Sequence, residues 1–217
     1  MDGRPFRNRA DAGQELARRL LAYERQPGVV VLGLARGGVP VAAEVAARLG
    51  VPLDVLVVRK LGVEGRAELA MGAIASGGVR VLNNAVVDGL GIGEGEIERV
   101  AQREGQELER RTRLYRGDRP EPDLAGKVVI VVDDGLATGS TMRAAVAAIR
   151  RRAPARIVVA VPVGAPATCQ ELASEADDVV CLRMPHRFFA VGQWYRDFSA
   201  TTDDEVAQAV RGAPGGA

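Results

Sequence analysis

The chain has 217 residues, 47% of them apolar, enough for one domain or one domain with a small appendage. Its 29 basic and 28 acidic residues leave a net charge of +1, which argues against a general nucleic-acid binder. No apolar run reaches the ~18–20 residues of a membrane span. Cys169 and Cys181 lack a metal-type spacing and read as two reduced, semi-buried thiols.

Residues Met1 to Arg7 contain no apolar signal region, which predicts the cytoplasm. Asp11 to Tyr23 reads as an amphipathic helix, with Leu16, Leu20 and Tyr23 on one stripe. Arg4, Arg7 and Arg9 precede it. They read as a solvated or partner-facing segment, with contact to ligand phosphates as the alternative.

Val29 to Leu34 is a buried strand. It ends in Ala35-Arg36-Gly37-Gly38-Val39-Pro40, and a helix follows from Val41 to Leu49. The two glycines permit positive φ and close backbone approach. Arg36 brings a forked cation suited to phosphate, although a plain strand–turn–helix with an exposed arginine has the same pattern. Leu53 to Val58 is a second strand, ending in Arg59-Lys60-Leu61-Gly62. Of the 29 basic residues only Lys60 and Lys127 are lysines, which singles out Lys60 at a strand end as a point charge for an anion. The ordinary alternative is a solvated strand-end cation.

From Gly62 to Gly78 the periodicity breaks down. Ser76-Gly77-Gly78 reads as a hairpin turn between Gly72–Ala75 and Val79–Leu82, and Arg66 and Glu68 are loop candidates. Gly93 to Arg116 is a long charged helix, acids early and bases late, over an Ile97/Val100/Leu108 stripe. Gly117 to Gly126 is a loop.

Val128 to Val132 is a run of five β-branched residues, as in a strand buried on both faces of a parallel sheet. Asp133 and Asp134 stand at its carboxyl end, where open α/β sheets bind ligands. Gly135-Leu136-Ala137-Thr138-Gly139-Ser140-Thr141 then leads into an alanine-rich helix, Met142 to Arg150. A helix start carries unpaired N–H groups and partial positive charge, so it favours an anion such as phosphate. Thr138, Ser140 and Thr141 add hydroxyl donors. No lysine precedes the Ser/Thr pair, so this is not a Walker A loop. The pattern suits a phosphate monoester beside a diol, as in a ribose 5-phosphate, although a capped helix without ligand uses the same residue types.

Arg156–Val161 (strand), Pro166–Ala173 (helix) and Val179–Leu182 (strand) complete an alternating pattern that indicates a parallel sheet. Five of the chain's eight aromatic residues fall within Met184 to Phe198: Phe188, Phe189, Trp194, Tyr195 and Phe198. They read either as a stacking platform for a flat base or as a satellite core. His186 is the lone histidine and reads as a surface or packing residue, with substrate contact as the alternative. Ala213 to Ala217 reads as a frayed tail.

The stretch Val129 to Thr141 resembles the phosphoribosyl diphosphate (PRPP) binding motif of type I phosphoribosyltransferases: apolar run, two acids, small residues, then Thr-Gly-Ser-Thr. The resemblance covers roughly residues 9 to 200 in layout and is sharp at 129–141 and 35–38. It implies a doubly wound α/β fold, mostly parallel, of about five strands, with a flexible hairpin and a small carboxyl-terminal hood. The division would be a core over 1–182, a hood segment over 183–212 and a tail over 213–217. It implies Mg²⁺-dependent transfer of ribose 5-phosphate from PRPP to a nitrogenous base, releasing pyrophosphate, as part of nucleotide metabolism.

By that resemblance Asp133 and Asp134 hold the ribose hydroxyls, and Gly135 and Ala137 to Thr141 wrap the 5-phosphate. Ala35, Arg36, Gly37, Gly38 and Lys60 hold the diphosphate, with a strained or cis peptide near Arg36. Mg²⁺ is carried by the diphosphate near Asp133 and Asp134, without a firm protein metal site. Residues 62–78 are the mobile loop that excludes water. Phe188, Phe189, Trp194 and Tyr195 would face the base. The 6-oxopurine members carry an aspartate where Ala137 stands, which lowers the expectation for hypoxanthine, guanine or xanthine. The partners implied are PRPP and an unidentified base, without nucleic acid or membrane, and a homodimer stays open. The alternatives are a PRPP- or nucleotide-sensing module without turnover and, more weakly, a phosphate-releasing hydrolase.

Overall fold

The computed structural model describes residues 4–213, with the side chains of Ala67 and Glu68 outside the description. In chain order the elements are α1 (Arg9–Arg19), β1 (Val29–Leu34), α2 (Gly38–Leu49), β2 (Leu53–Leu56), β3 (Val58–Val63), β4 (Arg66–Ala75) and β5 (Val79–Leu82). There follow α3 (Asn84–Leu90), α4 (Glu94–Arg116), β6 (Val128–Val132), α5 (Ser140–Arg150), β7 (Arg156–Val163), α6 (Pro166–Leu172), β8 (Asp178–Arg183) and α7 (Asp203–Arg211).

Five strands form an all-parallel sheet in the order β2-β1-β6-β7-β8. The central ones are runs of valine and isoleucine because side chains alternate between two covered faces. Val129, Val131, Ile157 and Val159 pack against α5 and α6. Val31, Ile130, Val132 and Val158 pack against α1 and α2. Val129, Ile130, Val131 and Val132 are all fully buried, each worth about 1.5–3 kcal/mol over an exposed position. The strand order reverses between β1 and β6, so a crevice opens at their carboxyl ends. That switch point is where doubly wound sheets bind ligands.

The doubly wound parallel sheet expected from the sequence is present. The pattern break over 62–78 is not a loop. β3, β4 and β5 form a separate antiparallel sheet, packed against α4 on one side and α5 on the other. The Ser76–Gly78 turn does join β4 to β5, with Gly77 and Gly78 at φ +88° and +72°. The glycines that obscured the periodicity have different reasons: a Cβ on Gly72 would lie 3.1 Å from Leu82 Cα on the neighbouring strand, while Gly65, Gly77 and Gly78 take positive φ in turns. Arg66 opens β4, while the Glu68 side chain lies outside the described residues.

Four smaller differences have local causes. The first helix begins at Arg9, where the Asn8 side chain accepts from the Asp11 N–H, and ends at Arg19. Leu21–Tyr23 is a 3-10 turn. The strand expected over Leu53–Val58 stops at Leu56 as β2, and Lys60 lies inside β3 rather than at a parallel strand's end. Arg116 of the charged helix is not solvated. It is buried and paired with buried Asp54 at 3.1 Å, while Ile97, Val100 and Leu108 are buried as the stripe predicts. α3 occupies a segment to which the sequence pattern assigns no element.

The carboxyl-terminal segment folds onto the amino terminus. Phe6 N–H donates to the Trp194 carbonyl and Arg196 N–H to the Phe6 carbonyl, both at 2.8 Å. Ala213, the first residue of the expected tail, packs against the sheet; residues 214–217 and 1–3 lie outside the described part. Cys169 is buried, Cys181 half-buried, and both are free thiols. Among the described residues no helix is long and apolar enough to cross a membrane.

Candidate active site

Two loops meet at the switch point. The first, Ala35 to Gly38, leaves β1 and starts α2. The Ala35–Arg36 peptide is cis, as the resemblance implied. Gly37 has φ −60° and Gly38 opens the helix, so neither needs positive φ. Their reason is close approach. A Cβ on Gly37 would overlap Asp134 Oδ2, and one on Gly38 would lie 2.8 Å from Asp133 Cα. The loop therefore rests directly on the acids at the end of β6.

The second loop, Gly135 to Gly139, leaves β6 and starts α5. It is pinned to β7: Leu136 N–H donates to the Val163 carbonyl at 2.9 Å, and Ala165 N–H to the Leu136 carbonyl at 2.8 Å. From α6, Thr168 Oγ1 donates to the Ala137 carbonyl at 2.7 Å. Arg143 donates to the Thr138 carbonyl at 3.1 Å and is itself paired with Glu171 and Glu175. Gly139 caps α5 at φ +72°, a left-handed position that favours glycine. Among the described residues, no protein acceptor receives the backbone N–H groups of Ala137, Thr138, Gly139, Ser140 and Thr141. Thr138 Oγ1 and Ser140 Oγ lie 3.3 Å apart beside them.

These N–H groups border a cavity of about 170 Å³ lined by Lys60, Asp133, Gly135 to Met142 and Val191. Gathered donors at a helix start, a lysine and a carboxylate surround one small volume, which suits a phosphate ester with an adjacent hydroxyl. The antiparallel sheet is what delivers Lys60, from the middle of β3. A larger cavity of about 950 Å³ lies between α4 and the β4–β5 turn and shares no lining residue with the first.

The two acids differ. Asp133 lines the cavity, and its Oδ1 accepts the Asp134 N–H at 2.9 Å. Burial, then the adjacent Asp134 carboxylate, push the Asp133 carboxyl well above the usual range. Asp134 does not line the cavity. Its Oδ2 accepts from Arg9 Nε at 2.8 Å, with both side chains almost covered. Burial raises its pKa, while the Arg9 charge pulls it back down. Tyr195 Oη donates to the Asp134 carbonyl at 2.5 Å.

Arg9 is the residue that sequence reasoning undervalues. It also donates to the Ser199 carbonyl at 2.7 Å and stacks 4.0 Å over the Phe198 ring. Nothing local in Arg4-Pro5-Phe6-Arg7-Asn8-Arg9 distinguishes it from Arg7, which is exposed and bonds Asp11. Arg36 is half-exposed, 3.7 Å from Asp203, which also accepts from Tyr115 Oη at 2.6 Å. Burial, then the bond to Asp203, raise the Tyr115 phenol to about 12.

The aromatic segment needs a correction. Trp194 and Tyr195 are not a platform; they are buried with Phe6, Ala12 and Val163, and Phe188 packs against the same cluster. Tyr195 stacks on Phe198 with ring centres 5.0 Å apart. These rings cover the amino-terminal segment and hold Arg9, so their faces are already used. Phe189 alone of the four candidates is open, at 84% exposure.

Comparison with known proteins agrees with this architecture. The phosphoribosyl transferase domain family matches residues 6–196. A Mycobacterium tuberculosis (strain ATCC 25618 / H37Rv) protein that bears the name "Putative phosphoribosyl transferase" is 50% identical over 201 residues. The match covers 93% of this chain and 45% of the relative, so the chain spans about half the length of the curated relatives it matches. Protein TT1426 from Thermus thermophilus superposes with a TM-score of 0.84 at 42% identity, over 95% of this chain and 97% of that one. A Neisseria gonorrhoeae hypothetical protein solved with bound ppGpp shares the fold at a TM-score of 0.52 and 13% identity, covering 97% of each chain.

Proposed function

The chain belongs to the phosphoribosyl transferase domain family, and we propose that it transfers ribose 5-phosphate from PRPP to a nitrogenous base, releasing pyrophosphate. One observation carries this reading: residues 137–141, whose backbone N–H groups meet no acceptor among the described residues, line a small cavity together with Asp133 and Lys60. The 5-phosphate sits on residues 137–141, held by N–H groups and the hydroxyls of Thr138, Ser140 and Thr141. Asp133 accepts a ribose hydroxyl and, once ionised, stabilises positive charge building on the sugar. Lys60, and Arg36 swung away from Asp203, neutralise the leaving diphosphate.

Among the described residues no three His, Cys, Asp or Glu side chains gather to hold a metal by themselves. The Asp133 carboxylate in the cavity lining is the oxygen donor that fits Mg²⁺ bound mainly through diphosphate oxygens. Bound there, Mg²⁺ would offset diphosphate charge. Ala137 supplies no carboxylate where the 6-oxopurine members carry one, which favours an adenine-like, pyrimidine or less familiar acceptor. Phe189, two residues from cavity-lining Val191, is the proposed stacking face for that base.

The test is pyrophosphate release from PRPP with Mg²⁺, with purine, pyrimidine and pyridine bases added one at a time. Release that depends on one added base is the expected result and names the acceptor. Release without any base would favour hydrolysis. PRPP binding without release across the panel would favour a sensing module.

A further inference from the structure

Arg9 has no part in the function proposed above, yet it is the most fully engaged cation near the two acids. Its side chain and that of Asp134 are 12% and 14% exposed, and the pair is 2.8 Å apart. Desolvating two charges is costly unless geometry and further hydrogen bonds compensate. Here they do: the guanidinium also bonds the Ser199 carbonyl and stacks on Phe198.

The pair touches more than itself. The point where a Gly37 Cβ would stand overlaps Asp134 Oδ2 and lies 3.4 Å from Arg9 Nε. The ion pair is therefore the floor of the Ala35–Gly38 loop. Asp133, the other acid, has no ion-pair partner among the described residues and lines the cavity. The two carboxylates have unequal surroundings, and that inequality assigns them unequal tasks.

We propose that Arg9 is a positioning residue: through its ion pair with Asp134 it holds the 35–38 loop in register with Asp133, so that diphosphate and ribose are gripped together. This inference rests on the reading of the site as a PRPP site. It makes Asp134 primarily a buttress and Asp133 the acid that meets the sugar. Arg9 carries the support from α1 and the Ser199 segment, so the grip depends on those two segments being docked together.

The experiment is a double-variant cycle on the full chain, with Mg²⁺–PRPP affinity read by calorimetry and ribose 5-phosphate as the control ligand. Arg9→Gln is expected to weaken PRPP at least tenfold while ribose 5-phosphate, which lacks the diphosphate, changes less than threefold. Arg9→Lys should recover part of the loss, since it restores charge without the fork. Arg9→Gln with Asp134→Asn should lose no more than Asp134→Asn alone, because Arg9 acts through that acid. Circular dichroism and melting of each variant separate loss of fold from loss of grip.

Additive losses in the double variant, or equal losses for both ligands, would overturn the role of Arg9 while leaving the PRPP site standing. Absence of PRPP binding by the wild-type chain would overturn the underlying site reading and this proposal with it.

Discussion

The phosphate loop and the acid pair are neighbours in sequence, but they are held in place differently. The loop at 137–141 is supported by what lies close along the chain: the end of β7, Arg143 one turn into α5, and Thr168 of α6, 31 residues away. Asp134 is supported from far off. Arg9 lies 125 residues from it, Arg9 is in turn fixed by Ser199 190 residues away, and Tyr195 reaches back 61 residues. The loop is held by the elements that directly follow it, α5, β7 and α6. The Asp134 carboxylate is a property of the whole fold, because a desolvated carboxylate that keeps its charge needs a cation, and here that cation comes from a distant part of the chain.

The sharpest way to break the local half is Gly139→Val. Valine cannot take φ +72° without strain, and its Cβ would lie 2.6 Å from Thr168 Cγ2. Phosphate affinity at this loop should disappear in titrations with ribose 5-phosphate, with the far-ultraviolet circular dichroism retained. Undiminished affinity would remove the loop from the site.

Asp133→Asn tests the other half with two readouts of opposite sign. Turnover should fall by about 10²–10³, the scale of losing one strong electrostatic stabiliser. Stability at neutral pH should rise, because burial and the adjacent carboxylate disfavour the ionised Asp133 in the folded chain. The gain is read as a Tm above that of the wild-type chain. A drop in both readouts would mean that Asp133 is structural.

The pH dependence follows from the same raised pKa. The folded chain binds the Asp133 proton more tightly than the unfolded chain does. Stability therefore falls as pH rises from the ordinary carboxylate value, about 3.9, through the raised value. PRPP affinity should move the opposite way, weakening as acid protonates Asp133 across that same window. Melting and calorimetry over a shared pH series check both curves, and parallel curves would contradict the assignment. The smallest expected effect is that of Thr168→Val, which removes the hydroxyl bond to the Ala137 carbonyl. It should cost about 1 kcal/mol, or about fivefold in phosphate affinity.

The same contrast explains what is legible in the sequence. Val128–Val132, Asp133, Asp134 and the Thr-Gly-Ser-Thr run can be placed from the single continuous stretch Val128 to Thr141, because strand burial, strand-end position and helix start are read along the chain. Gly37 and Gly38 stand out in the same way, but of the two reasons for glycine there only close approach to Asp133 and Asp134 holds. The antiparallel sheet is hidden because its glycines break the period of two, Gly72 by packing against the neighbouring strand and Gly65, Gly77 and Gly78 by turning the chain at positive φ. Arg9 resembles its neighbours Arg4 and Arg7, since its partners are far away in the chain. Trp194 and Tyr195 are as consistent with a core as with a platform, and only the docking of Phe6 decides between them.

The most direct measurement of the central claim is a calorimetric titration of the wild-type chain with Mg²⁺–PRPP, repeated with Asp133→Asn and Gly139→Val. The account predicts saturable one-site binding by the wild type, competed by ribose 5-phosphate and lost or strongly weakened in both variants. Wild-type binding that survives both substitutions unchanged would place PRPP elsewhere on the molecule and contradict the account.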